Sequence, residues 1–461
     1  MVCRFDRVVY YLAIAMFTWV TVAPAGCSDT TAPTSLEGIY TYQDFDRPDV
    51  CGACHQNIHQ DWSNSLMALS FVHEWDDVEY FQLALPHAHR LDEVSGIKSG
   101  CIACHGPLAY LAGDIPPAEP SAGTRVNEGV SCEVCHFITG STEQEPFNFS
   151  VTMDVGDTRY GPRDDASSTF HQSQYSGFTV SSRLCATCHD EQSPYSAWVK
   201  ETYREWKDSP YSSENILCQD CHMGSAPGIS AEGAKQRDDI AAHTFYGPHS
   251  DDWLKEAASI KLTTDRPEAR AGWTITIYVD VVNDSCGHYF PTGSTEERML
   301  WLELWVTDAA GQKHHLPCLA KGFEGEEYTI ADSSAAAYSD LGEIMELAGF
   351  EGLSRDGDIP DGARIFRRPF FNPGGEMTIC QWYTVENSLV DYRLAPGEPV
   401  TETYFYRVPD GLSYGTITVE ADLYYSLIPS SIGEFFGLGE SEFKPVLIDH
   451  QSLTLSIVDW G

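Results

Sequence analysis

The chain has 461 residues, 42% of them apolar, and sets 28 basic against 68 acidic side chains for a formal net charge of −40. That balance excludes binding to nucleic acid or to anionic membranes through bulk electrostatics, and the apolar content excludes a chain disordered throughout. At roughly 100 to 200 residues per domain, the length suggests two or three domains.

Arg4 and Arg7 precede an apolar run from Val8 to Ala23. The run is too short to span a bilayer comfortably as a helix, and residues 1–27 read as a secretory signal peptide. It ends in Ala23-Pro24-Ala25-Gly26-Cys27, which resembles a bacterial lipoprotein processing site, although Pro24 departs from the usual aliphatic residue. Cys27 is therefore the expected lipidation position. Residues 28–49 form a linker that opens with a Ser/Thr/Pro-rich tether, as suits a leader between an anchor and a folded body. The mature chain is expected outside the cytoplasm, in the periplasm or as a lipoprotein at the outer membrane or cell surface.

Ten of the fifteen cysteines fall in one pattern, Cys-x-x-Cys-His, repeated five times. The copies are Cys51, Cys54 and His55; Cys101, Cys104 and His105; Cys132, Cys135 and His136; Cys185, Cys188 and His189; and Cys218, Cys221 and His222. Each is a c-type haem attachment signature. Two thiols reach the two vinyl groups on one porphyrin edge, and the adjacent histidine turns under the ring to ligate iron. Zinc clips and thioredoxin-like pairs give no reason for a histidine after every pair. Five covalently attached haem c groups are expected between Cys51 and His222, with so little protein per ring that the macrocycles replace an aliphatic core and neighbouring rings lie close. The motif spacing alternates long and short, as a lone haem followed by two duplicated pairs would. His87 precedes Cys101 by the same offset as His171 precedes Cys185, and equivalent positions should do equivalent work.

The five motifs use five of sixteen histidines. A haem that only relays electrons usually takes a second imidazole, whereas a catalytic haem leaves that position open or weakly held. The abundance of further histidines favours relay. The expected second ligands are His171 and His87, with His89 as the alternative to His87, then His243 and His249 in HTFYGPH, and His288 in CGHYFPTG. His314, His315 and His450 read as ordinary strand or loop histidines. Met67 reads as core packing, with a thioether ligand as the alternative.

The segments CGACHQNIHQDWSNS, NEGVSCEVCH, GPRDDASSTFH, SSRLCATCH, EWKDSPYSSENILCQDCHM and HTFYGPH resemble the multihaem cytochromes related to the tetrahaem cytochrome c of ammonia oxidisers and to hydroxylamine-oxidoreductase-like proteins. The resemblance covers about Val50 to Trp253. It implies a mostly short-helical haem domain with stacked ring pairs, bis-histidine coordination and electron transfer. Met67 and Tyr211 stand where a W-x-x-S-x-H pattern would place a ligand, so one haem can lack its second imidazole. No Cys-x-x-Cys-Lys site of the catalytic branches is present.

Beyond about Asp251 the motifs stop and period-two alternation begins, at Trp273 to Val281, Met299 to Val306, Ile417 to Tyr425 and Leu453 to Ile457. The expected architecture is α+β multidomain: a short-helical, loop-rich multihaem cytochrome domain over residues 50–250, then an antiparallel β-sandwich, immunoglobulin-like, over residues 251–461. Of Cys286, Cys318 and Cys380, the favoured disulfide joins Cys318 to Cys380, leaving one thiol. Asp356 to Gly362 begins like a calcium loop, but Arg367 at its twelfth position excludes an EF-hand.

These features describe a pentahaem carrier passing single electrons between a respiratory donor and an extracytoplasmic acceptor. Unused histidines extend the reading to a homo-oligomer or filament in which a terminal haem takes an imidazole from the next copy. The alternative is an oxidoreductase acting on a small nitrogen or sulfur compound at one open haem. The net charge favours redox partners with basic faces.

Overall fold

In the computed structural model, which describes residues 35–319, 329–387, 390–412 and 414–458, the motifs lie on or beside short helices. These are Pro48–Gly52 (α1), which ends at the first motif, Ile97–His105 (α2), Cys132–His136 (α3), Arg183–His189 (α4) and Cys218–His222 (α5). One helical turn puts residues three apart on the same side, so both thiols of a motif face one way. The signal-peptide expectation and Cys27 lie outside the described residues. Turns and two-stranded ribbons join the helices. Gly129, with φ of +54°, is one position where only glycine fits: a Cβ there would lie 2.6 Å from the Met67 carbonyl oxygen. That approach lets the Val130 amide donate to Met67 at 2.8 Å and the Trp62 indole donate to Val130 at 2.9 Å, which fixes the entry to the third motif.

Strands dominate after Ala258. They are Ala258–Thr264 (β1), Glu268–Ala269 (β2), Thr274–Asn283 (β3), Met299–Thr307 (β4), Lys313–His315 (β5), Arg364–Ile365 (β6), Val400–Arg407 (β7), Gly415–Ser426 (β8) and Val446–Ile457 (β9). β7, β3 and β1 form one antiparallel sheet. A second sheet runs β2, β9, β8, β4 and β5, with β6 also paired to β4. Alternate residues of both sheets meet in one core: Ile275, Ile277, Val279 and Val281 from the first, with Leu300, Leu302, Leu304, Val419, Ala421 and Leu423 from the second. The pairing is not wholly antiparallel, as the alternation had suggested. β2 runs parallel to the end of β9, because the chain crosses between sheets after β1 without making a hairpin.

A second apolar cluster joins the motif region to the rest. Trp75, Val78 and Leu83 pack with Leu341, Trp382 and Ile432, and residues 37–461 form one compact unit. The Cys318–Cys380 disulfide expected from sequence is not formed. Cys318 lies in the sheet core with its Sγ 3.4 Å from a Glu402 oxygen, whereas Cys380 is buried in the second cluster.

Arg364 is 2% exposed, and its Nε donates to Glu402 at 2.7 Å. Removing one partner of such a pair strands the other charge in the core. Arg364→Met is expected to lower unfolding stability by about 3–5 kcal/mol in a denaturant titration, and a loss below about 1 kcal/mol would show that Glu402 finds other compensation.

Candidate haem-binding site

Three imidazole pairs stand out. His55 faces His171 with ring centroids 6.3 Å apart and planes 26° from parallel. His136 faces His243 at 6.4 Å and 25°, and His222 faces His288 at 6.4 Å and 15°. Two imidazoles bound to opposite sides of one iron, with Fe–N bonds of about 2 Å and about 1.1 Å from nitrogen to ring centre, have centroids about 6.2 Å apart. Each pair joins a motif histidine to one distant in sequence.

Hydrogen bonds orient the rings. Nδ1 lies against a backbone carbonyl in His55 (Ser230, 2.7 Å), His136 (Tyr160, 2.7 Å), His222 (Tyr246, 2.6 Å) and His105 (Ser70, 3.0 Å). The distal rings do likewise: His171 with Gln172 at 3.0 Å, His243 with Ala241 at 3.2 Å and His288 with Tyr289 at 2.9 Å. A carbonyl can only accept, so Nδ1 carries the hydrogen and Nε2 keeps its lone pair for a metal. Burial pushes the His136 and His288 pKa values down, and that of His243 to about 4, helped by repulsion from His136. These rings are therefore neutral near pH 7, the form that ligates.

The supports come from local structure. Thr158–Gly161 pairs in parallel with Gln172–Tyr175, so one ribbon carries both the Tyr160 carbonyl behind His136 and the segment that begins at His171. His243 follows the ribbon of Ser225–Gly228 and Arg237–Ala241, and its amide donates to Asp61 at 3.3 Å. His288 sits in the loop after β3. Asn283 donates to the His288 carbonyl at 2.8 Å, and Glu205 in the helix Thr202–Lys207 accepts from the Tyr289 amide at 3.2 Å and from Thr292 at 2.6 Å. The loop is thereby fastened to the motif region, with Arg393 bonded to Glu205 at 2.7 Å.

Other expected ligands lie elsewhere. His171 faces His55 rather than the His189 of its own repeat, and His87 faces no motif histidine. Its buried ring meets Tyr383 edge-on at 4.7 Å, and its Nδ1 accepts from the Trp382 indole at 3.2 Å. That leaves the hydrogen on Nε2, the nitrogen a haem would need. The shared offset places the two residues at similar points in sequence but does not place them beside the same wall. His249 lies against His73 at 4.8 Å. Among the described residues no imidazole faces His105 or His189 at the paired spacing. Burial, with repulsion from His222 and Lys200, pushes the His189 pKa to about 4.

The cleft of the second motif contains residues that sequence reasoning missed. Cys101, Cys104 and His105 line it with Glu79, Glu191, Lys200 and Gln381. Lys200 donates to Glu191 at 2.5 Å and to Gln381 at 2.7 Å. Burial raises the Glu79 pKa well above the carboxylate range, with Glu297 adding repulsion. Glu79, Glu191, Lys200 and Gln381 lie outside every motif, and only their spatial convergence reveals them.

The thiols also cluster across motifs. Cys51 lies near enough to Cys132 for the two thiols to influence each other's ionisation, as do Cys104 with Cys188 and Cys185 with Cys218.

A family model described as "Cytochrome c554 and c-prime" matches residues 50–137. No curated protein matches the chain. Among solved structures, a penta-heme cytochrome c552 from Thermochromatium tepidum aligns over 89% of this chain and 99% of its own, at 20% identity and a TM-score of 0.57, which shows the fold. These matches support a multihaem c-type cytochrome. AvmM, a macrocyclization catalyst of alchivemycin A biosynthesis, covers 45% of this chain and 91% of its own at 14% identity and a TM-score of 0.20. The sporulation control protein Spo0M from Bacillus subtilis covers 44% and 50% at 10% identity and a TM-score of 0.16. Neither similarity is high enough to define a fold. No described helix is long and apolar enough to cross a membrane.

The residues fit haem c: paired thiols on one helical face, neutral imidazoles with free Nε2 atoms, and spacing for an iron between them. Bound haem supplies one-electron chemistry at its iron.

Acid should release the rings with a defined sign. An ordinary imidazole titrates at 6.5, and His243 at about 4. The unfolded chain takes up the proton first, so this contribution is whole above pH 6.5 and is lost as the pH falls toward 4. Optical spectra of the oxidised protein are expected to stay low-spin through the range in which an ordinary imidazole titrates and to turn high-spin only in stronger acid. Conversion already at pH 6 to 7 would contradict the burial of these rings.

Proposed function

We propose that the chain is a pentahaem electron-transfer cytochrome whose haems form a connected row. The observation that carries this reading is the set of three facing imidazole pairs, which suits irons that exchange electrons and bind nothing else. His55 and His171, His136 and His243, and His222 and His288 are the axial ligands of the first, third and fifth motifs in this account. The neighbouring thiols support an order: the first motif beside the third, and the fourth beside both the second and the fifth. The third and fourth are close enough for Cys135 and Cys188 to influence each other electrostatically, so the row runs first, third, fourth, fifth. The second motif branches from it at the fourth.

In this reading the chain is exported, with Cys27 as its lipid anchor, and the two-sheet region is an immunoglobulin-like sandwich that delivers His288. The hydroxylamine-oxidoreductase-like group supplies its wider relatives. Partners present basic faces to a strongly acidic surface, and a second copy of the chain extends the row where a terminal haem meets the next protomer.

A second reading rests on the cleft of the second motif. His105 is the imidazole that lines it, while Lys200, Gln381, Glu191 and Glu79, whose pKa burial raises, surround the same space. In this reading a small nitrogen or sulfur compound would be taken up at the haem of the second motif, beside those polar side chains.

Mass spectrometry of the mature protein is expected to show five haem additions, and fewer would shorten the row and contradict the proposal. His288→Ala should keep all five while turning one haem high-spin, and an unchanged spectrum would remove His288 from the ligand set. Cyanide or nitrite added to the oxidised protein separates the two readings. A spectrum unchanged throughout supports a carrier alone, whereas a response from one haem brings the second reading forward.

A further inference from the structure

A group of ligating side chains lies apart from the haem pairs. His73 precedes the helix Glu74–Asp77, His249 follows the last motif, and Glu442 lies in the helix Glu440–Phe443. One ligating atom from each falls within a cluster no more than 4.8 Å across. The His73 Nε2 is 3.0 Å from a Glu442 oxygen, buried, and without a hydrogen bond of acceptable geometry. Two ligands of one ion with bonds of about 2.1 Å lie about 3.0–3.4 Å apart at angles of 90–110°, so the pair is already at ligating distance. Its other ring nitrogen, Nδ1, faces Asp76 at 3.2 Å. A carboxylate behind one ring nitrogen fixes the tautomer and aims the other nitrogen, as it does behind histidines that bind metal.

The frame is held independently of any ion. The Gly439 amide donates to Glu74 at 2.8 Å, which ties the segment bearing Glu442 to the one bearing His73.

We propose that His73, His249 and Glu442 form a binding site for a divalent transition-metal ion of the zinc class, oriented by Asp76 and completed by water on the exposed side of His249. Two imidazoles and a carboxylate suit this class better than calcium or magnesium, which prefer all-oxygen sites. The ion would clip together three segments remote in sequence. It would also stand one residue from a motif, since the second Asp76 oxygen is 3.4 Å from the His105 Nδ1.

The test is a calorimetric titration of the chelator-treated, haem-loaded protein with Zn2+ near neutral pH. One site is expected in the native chain, lost in Glu442→Gln and weakened about 10–100-fold in Asp76→Asn. A native chain that binds no Zn2+, or a site undiminished in Glu442→Gln, would overturn the proposal. His249→Asn changes an exposed residue and gives an independent reading. It should abolish the Zn2+ site and leave every haem in its original spin state, whereas a new high-spin haem would make His249 an axial ligand and overturn the metal site.

Discussion

The structure depends on a hydrogen bond from Nδ1 of an imidazole to a backbone carbonyl, made again and again around the motif region. Without it each ring could flip or swap tautomers, and Nε2 would not reliably present a lone pair across the gap to its partner. The carbonyls behind His55, His136 and His222 belong to Ser230, Tyr160 and Tyr246. All lie outside the motifs they serve. The loops and ribbons between motifs therefore hold the second face of each site, which explains how a region of short helices can be specific.

The two-sheet region takes part through the same kind of contact. Its core is apolar and self-sufficient, built from alternating residues on facing sheets. The loop after β3 leaves that core and is fastened to the motif region through Glu205, Thr292 and Arg393. Glu205 accepts these contacts in a buried setting, where charge-assisted hydrogen bonds are stronger than at the surface. The end of the central strand β3, paired on both sides, thus sets the position of His288, and the strands contribute to the candidate site as well as to stability.

Much of this was legible in the sequence. The motifs are strict covalent signatures, and the strand cores of β3, β4 and β8 follow a period of two. The start of β9 was hidden because Asp449, His450, Gln451 and Ser452 interrupt the apolar alternation, yet pairing with β8 carries the strand back to Val446. His171, His243 and His288 could be singled out as candidate ligands, but their partners could not be assigned, because a repeat offset carries no direction in space. His87 shows the cost: the Trp382 that occupies its Nδ1 is remote in sequence. The buried charges around Lys200 were equally invisible, since each is an ordinary residue until the fold brings them to one cleft.

The central claim is that three irons sit between imidazoles whose planes are close to parallel. Electron paramagnetic resonance of the oxidised, mature protein tests it most directly, because the angle between axial imidazole planes governs the shape of a low-spin ferric signal. Planes 15° to 26° apart predict at least three rhombic low-spin signals. A spectrum holding only the strongly anisotropic signals of perpendicular ligands, or high-spin iron at these positions, would contradict the account.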